Sequence, residues 1–211
     1  NKKPSIHYGE FGEDIFVNRI LKNIKKGRYV DVGCYHPFKG SLTVELYRRG
    51  WKGINIDLSK SSIDLFNLVR KKDINLNLAV SNFNGETSYY ENSPINQQNS
   101  LIKDNDNQKI IKIECSCLNS VLEKNKIEKF EYLNIDVEGN EEKVIQGINL
   151  IKFKPILITI ENNSLHIKDY MNSEIYNILI KNNYIFIGKT GVTNFFLIDE
   201  YAKNFLNLIR I

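Results

Sequence analysis

The chain has 211 residues, 42% of them hydrophobic, which is enough to bury one sizeable core and short for two, so a single domain over residues 1–211 is expected. Its net charge of +4 comes from scattered groups such as Lys25-Lys26, Arg48-Arg49 and Arg70-Lys71-Lys72. These read as solvated helix ends and loops, and the absence of a continuous basic stripe argues against a nucleic-acid track.

The first periodic segment lies within residues 10–25. Ile15, Phe16, Ile20, Leu21 and Ile24 recur at helical spacing from Glu13 to Asn23. Its lead, Tyr8-Gly9-Glu10-Phe11-Gly12-Glu13-Asp14, sets acids and glycines beside aromatics. Acids there suit a helix N-terminus, and they equally suit a ligand pocket, which makes Glu13 a candidate site residue.

Arg28-Tyr29-Val30-Asp31-Val32-Gly33-Cys34-Tyr35-His36-Pro37 follows, a β-branched and aromatic run ending in an acid and a glycine. Leu42, Leu46 and Arg49 then recur with helical spacing, so the stretch reads as strand, tight turn and helix. In an open α/β sheet, the crevice beyond such a strand holds a nucleotide-like ligand. The dinucleotide fingerprint needs three glycines, and only Gly33 is present. A carboxylate also suits an ammonium or sulfonium, as in S-adenosylmethionine, better than it suits a diphosphate. Asp31, Gly33 and Cys34 are therefore candidate cofactor residues.

Trp51-Lys52-Gly53 turns into a second strand, Ile54-Asn55-Ile56-Asp57. Asp57 lies a little over twenty residues beyond Gly33, near the spacing at which nucleotide-binding folds place a carboxylate on ribose hydroxyls. Leu58 and Ser59 follow it into the cofactor set. Ser61 to Lys71 reads as a helix with a basic end, and Ile74 to Ser81 as one alternating third strand. Ala79, Val80 and Ser81 at its end offer an apolar shelf for an adenine. Glu86 to Glu91 looks like an added edge strand, and residues 92–109 are a long polar loop, of which Asn99 and Ser100 are expected to touch ligand.

Ile110 to Cys117 reads as a strand and Leu118 to Asn125 as a short helix. Cys115 and Cys117 fall on one strand face, without the paired Cys-x-x-Cys elements of a zinc site, so buried thiols in a reducing compartment are expected. Tyr132-Leu133-Asn134-Ile135-Asp136-Val137-Glu138-Gly139 is a further strand running into a helix, and Lys154 to Asn162 is another, with Glu161 at its tip. Four strands thus finish in acids, at Asp31, Asp57, Asp136 and Glu161, and in a parallel sheet those ends line one crevice. A helix over Ser173 to Asn182 precedes Tyr184 to Gly188 and Asn194 to Ile198, two strands joined closely enough to form a hairpin. The expected fold is α/β: a Rossmann-like seven-stranded methyltransferase sheet, mostly parallel, with a C-terminal antiparallel hairpin and helices on both faces.

With these motifs in view, the chain resembles the FkbM family of S-adenosylmethionine-dependent methyltransferases. The resemblance runs from about Tyr8 to Ile198 through Gly12-Glu13-Asp14, Tyr29 to Gly33 with His36-Pro37, Arg49 to Asp57, Asn77 to Ser81, and Ile135 to Gly139. It implies O-methyl transfer to a hydroxyl of a sugar, sugar phosphate, glycolipid or other small molecule. One departure is Tyr35, which stands where many folds of this kind carry a second glycine.

Methyl transfer is an in-line displacement that needs two positioned reactants and a base for the hydroxyl proton. Asp136, Glu138 and His36 are the candidate catalytic residues, with Glu161 and His166 behind them. Asp136 and Glu161 could also hold a magnesium ion, a reading placed below the metal-free one. A nucleic-acid methyltransferase lacks its Asn/Asp-Pro-Pro-aromatic or Pro-Cys motif here. A nicotinamide oxidoreductase lacks its glycines, and a non-catalytic binding module is the remaining alternative. No apolar run approaches the ~20 residues of a membrane helix and Asn1-Lys2-Lys3-Pro4 has no signal-peptide core, so a cytoplasmic protein is expected.

Overall fold

A computed structural model describes residues 6–96, 98–103, 108–164 and 166–203. Helix α1 (Glu13–Ile20) precedes the first strand, β1 (Arg28–Val32). The periodic run from Glu13 to Asn23 is helical only to Ile20, and beyond it the carbonyls of Leu21, Lys22 and Ile24 accept from Arg49. Then follow α2 (Val44–Arg48), β2 (Lys52–Asp57) and α3 (Lys60–Val69). The start of α3 is fixed by Ser59, whose hydroxyl accepts from the Ser62 amide at 3.1 Å.

The run Ile74 to Ser81, expected as one strand, is two: β3 (Ile74–Asn77) and β4 (Ala79–Ser81), broken at Leu78. The Asn77 side-chain amide donates to the carbonyls of Asp57 and Leu58 at 3.0 and 2.7 Å, tying the end of β3 to β2. The next three residues leave that sheet and pair elsewhere. Their partners follow: β5 (Gly85–Glu91) and β6 (Lys109–Cys117), which with β4 make a separate three-stranded sheet in the order β4-β6-β5. The stretch expected as an added edge strand thus belongs to this small sheet. Of the long polar loop, residues 97 and 104–107 lie outside the described residues. Its Ser100 makes an antiparallel bridge to Tyr90.

Helix α4 (Leu118–Lys124) leads to β7 (Tyr132–Ile135), α5 (Glu141–Gln146), the one-turn α6 (Leu150–Phe153) and β8 (Leu157–Glu161). The chain continues through α7 (Ile167–Met171), α8 (Glu174–Lys181), β9 (Tyr184–Thr190) and β10 (Thr193–Ile198). Neither α6 nor α7 was expected, since one turn carries too few positions to show a helical period.

The main sheet has seven strands in the order β3-β2-β1-β7-β8-β10-β9. Strands β3, β2, β1, β7 and β8 run parallel, and β10 pairs antiparallel with both β8 and β9. This is the expected architecture. The two faces of β1 carry different cores. Val30 and Val32 pack with Ile54, Ile56, Leu133, Ile135 and Phe196, whereas Tyr29 packs with Val17, Leu46, Trp51 and Tyr132. By the period of two, Asp31 shares the Tyr29 face, under the segment that follows the strand. Among the described residues no helix is long and apolar enough to cross a membrane.

Candidate active site

The reversal of strand order on either side of β1 opens a cleft over the carboxyl ends of β1, β2, β7 and β8. Asp31, Asp57, Asp136 and Glu161 all reach its lining, as do Gly33, Cys34, Leu58, Val80, Asn99, Glu13 and Glu138. Ala79, Ser81, Ser59, Ser100 and His36 are not among the lining residues. Ala79 and Ser81 are buried in β4, and Ser59 is occupied as the helix cap while donating to the Pro94 carbonyl.

Gly33 is required by its surroundings. It adopts φ +80°, and a Cβ there would lie 1.6 Å from the Asp136 carbonyl oxygen. Its amide and that of Cys34 both donate to the Ile56 carbonyl, at 2.9 and 3.1 Å, which locks the turn to β2. Tyr35 has φ 50°, the left-handed conformation a glycine adopts readily. The backbone therefore keeps the glycine-type turn although the sequence departs from it. The Tyr35 amide donates to one Asp57 carboxylate oxygen at 2.8 Å and the Ser59 amide to the other at 2.7 Å. Each oxygen retains a free lone pair for a diol. Burial, and behind it the Asp31 charge, pushes the Asp57 carboxyl up to about 6 against the two amides.

Asp31 is fully buried and accepts from Asn134 Nδ2 at 2.9 Å and from the Thr43 hydroxyl at 2.9 Å. Burial raises its pKa, while Asn134, the Arg70 guanidinium and Thr43 pull it down. Glu13 accepts from the Phe11 amide at 3.0 Å, and burial raises its pKa too.

On the other side of Gly33 the chain leaves β7 through a turn under strain. Glu138 has φ 55° and Gly139 φ 101°. Three contacts hold the turn: Glu141 Oε1 accepts from the Val137 and Gly139 amides at 3.1 and 3.0 Å, and the Ser100 hydroxyl donates to the Glu138 carbonyl at 2.7 Å. Ser100, expected to touch ligand, instead supports the backbone of a neighbour that lines the cleft. Oxygens of Asp136, Glu138 and Glu161 lie within 4.8 Å of one another, a spacing that suits a hard divalent cation. Asp136 is open to solvent in the cleft yet walled by protein, and that enclosure, with Glu161, Glu138 and Glu141 around it, holds its carboxyl well above the usual range. Glu138 is pushed up to about 7 by burial, then by Glu161, Glu141 and Glu10.

The histidines lie elsewhere. His36 Nδ1 accepts from the Phe38 and Lys39 amides at 3.1 and 3.0 Å, which caps a turn outside the cleft lining. Burial, then Lys39 and Arg70, lower its pKa. His166 is exposed ahead of α7. Sequence reasoning missed Asn134, Val192 and Thr193 in the lining. Asn134 was legible, because it stands two residues before Asp136 on the same strand face. Thr193 comes to Glu161 through antiparallel pairing, which no local pattern encodes.

A sheet of this order, with acids gathered over the ends of its parallel strands, places the chain among Rossmann-like α/β proteins of the methyltransferase type. The methyltransferase FkbM domain matches residues 31–186, most of the chain, and the protein belongs to that family. The match lies inside the 8–198 span over which the resemblance was expected. The crystal structure of HI0767 from Haemophilus influenzae, described as a methylase, superposes with a TM-score of 0.41 and 13% identity, covering 88% of this chain and 85% of that one. No curated relative matches the chain.

Proposed function

We propose that the protein binds S-adenosylmethionine in this cleft and transfers its methyl group to a hydroxyl of a small acceptor, a sugar or glycan precursor being the class favoured. One observation carries the reading: Asp57 and the Gly33 turn share a single cleft with Glu138, a carboxyl that burial pushes up to about 7. The lining fits a cationic cofactor. It holds seven carboxylates, from Glu10, Glu13, Asp31, Asp57, Asp136, Glu138 and Glu161, and among the described residues no Lys, Arg or His. A diphosphate or a nucleic-acid backbone would meet repulsion there, which disfavours the oxidoreductase and nucleic-acid alternatives. The same charge favours neutral or amine-bearing acceptors over sugar phosphates.

When bound, the cofactor supplies an electrophilic methyl on a sulfonium. Asp57 accepts from ribose hydroxyls, and the carboxylates of the cleft balance the cofactor's positive charge. Glu138 accepts the acceptor's hydroxyl proton, a role for which a carboxyl poised near pH 7 is suited. Burial, with Glu161 beside it, holds the Asp136 carboxyl well above the usual range, and in its protonated form it can donate to the acceptor oxygen and orient it. A second reading is favoured by the 4.8 Å clustering: Asp136, Glu138 and Glu161 would hold a magnesium ion, which would supply a Lewis acid for the acceptor hydroxyl.

Titration calorimetry with S-adenosylmethionine, S-adenosylhomocysteine and NAD is the deciding experiment. Binding of the first two in the low-micromolar range or better is expected. Binding of NAD alone overturns the proposal.

A further inference from the structure

Arg70 stands in the basic run expected to be solvated, yet it is 1% exposed. It caps the C-terminal end of α3 and turns its side chain into the protein, stacked over Phe66 and Tyr47 with the guanidinium carbon 5.0 and 5.6 Å from the ring centroids. A buried guanidinium is costly unless its protons are met. Here Nη2 donates to the Pro37 carbonyl at 2.7 Å and to the Ser41 hydroxyl at 2.9 Å. Nη1 donates to the Thr43 hydroxyl at 2.6 Å and to the Tyr29 hydroxyl at 3.1 Å.

Three of these four acceptors belong to residues 37–43, the segment whose Gly40, Ser41 and Leu42 line the cleft. The other contact and Thr43 have a further consequence. Arginine only donates, so the Thr43 oxygen must accept from Arg70, and its own proton is left for Asp31. In the same way Tyr29 accepts from Arg70 and donates to Asp73. One cation thereby orients two hydroxyls toward two carboxylates, and the one on Asp31 sits under the cofactor cleft.

We infer that Arg70 is a positioning residue for the cofactor: it clamps residues 37–43 against the cleft and, through the Thr43 hydroxyl, holds the Asp31 carboxylate in place. The inference rests on the cofactor reading above. Asp31 faces Asn134 and Tyr132 from β7, Thr43 ahead of α2, Cys34 and Asp57 at the strand ends, and Arg70 with Asp73 at the end of α3. Among these Arg70 is the cation. Losing it, or the hydroxyl that relays it, lets Asp31 take up a proton at higher pH.

The test is S-adenosylhomocysteine affinity by calorimetry from pH 5.5 to 8.5 for the parent, Arg70→Met, Arg70→Lys and Thr43→Val, each checked for folding by its melting curve. The Asp57 carboxyl, pushed up to about 6, owes part of that rise to the Asp31 charge, so protonating Asp31 moves Asp57 to lower pH; a limb displaced to higher pH therefore belongs to Asp31. Arg70→Met is expected to bind about tenfold or more weakly at pH 7.5, with the acid-side loss of affinity displaced to higher pH. Arg70→Lys keeps the charge without the planar fork, so it should weaken binding less and leave the acid limb in place. Thr43→Val leaves Arg70 intact and is close in shape, which keeps the question answerable should Arg70→Met not fold. It should displace the limb in the same direction as Arg70→Met. A merely structural role would lower melting temperatures without moving the limb. Folded variants that bind within twofold of the parent at every pH overturn the inference alone, whereas a parent that does not bind S-adenosylhomocysteine overturns the cofactor reading with it.

Discussion

Replacing Glu138 by glutamine removes a carboxyl that the fold holds at about 7 against an ordinary 4.5. Below pH 4.5 the group is protonated in both folded and unfolded chains, and it costs the fold nothing. Between 4.5 and 7 the unfolded chain loses the proton first, so rising pH favours unfolding, and above 7 the cost is fully present. That interval corresponds to about 3 kcal/mol at pH 8 if the site were closed to water, and solvent in the cleft reduces it to about 1–2 kcal/mol. Glutamine keeps the shape, and the φ of 55° strains both residues alike, so the backbone contribution cancels. Glu138→Gln should therefore raise the melting temperature at pH 8 by about 2–8 °C, for a chain of this size, and leave it within about 1–2 °C of the parent at pH 4.5 to 5. Differential scanning calorimetry across pH 4.5–8.5 reads this without any acceptor. A stabilisation that is the same at both ends of the range, or a loss of stability at pH 8, refutes the argument that burial, with Glu161, Glu141 and Glu10 around it, raises this carboxyl.

On whichever acceptor is found, Glu138→Gln should lower turnover by a factor on the order of 100 or more while leaving cofactor affinity nearly unchanged; parental turnover would rule it out as the base. Asp57→Ala should weaken S-adenosylhomocysteine binding by about 1.5–3 kcal/mol with the fold intact, measured by calorimetry, and equal affinity would remove its ribose role. Gly33→Ala should fold poorly or lose cofactor binding outright, because its Cβ meets the Asp136 carbonyl and its φ is +80°; near-parental melting and binding would show that the turn yields. Chelator followed by magnesium separates the two mechanisms at the acidic cluster: activity lost and restored supports the metal-held acceptor, and indifference supports direct proton transfer to Glu138.

The parts of this fold that were legible in the sequence are those where period and chemistry coincide within one element. Each of Asp31, Asp57, Asp136 and Glu161 ends or nearly ends a run whose apolar alternation marks a strand, and parallel pairing then brings the four to one edge without further information. The break at Leu78 was not legible, because alternation continues unbroken from Ile74 to Ser81. What divides the run is pairing to different partners, β2 for one half and Cys115 to Cys117 for the other.

Arg70 marks the limit most sharply. Three consecutive basic residues at a helix end read as a solvated cluster, and Lys71 and Lys72 are indeed exposed. Arg70 turns inward because Tyr29, Pro37, Ser41 and Thr43, 27 to 41 positions away, offer acceptors for a donor-only fork. A residue's charge is visible in sequence, but whether it faces water or an assembled set of acceptors is a property of the tertiary fold. The acids suffered less from this because a strand end has already fixed where they point. The practical consequence is a rule for substitutions in this family member: changes at the strand-end acids should act on binding and chemistry directly, whereas a change at Arg70 should act through Thr43 and Asp31, and the displaced pH limb distinguishes the two.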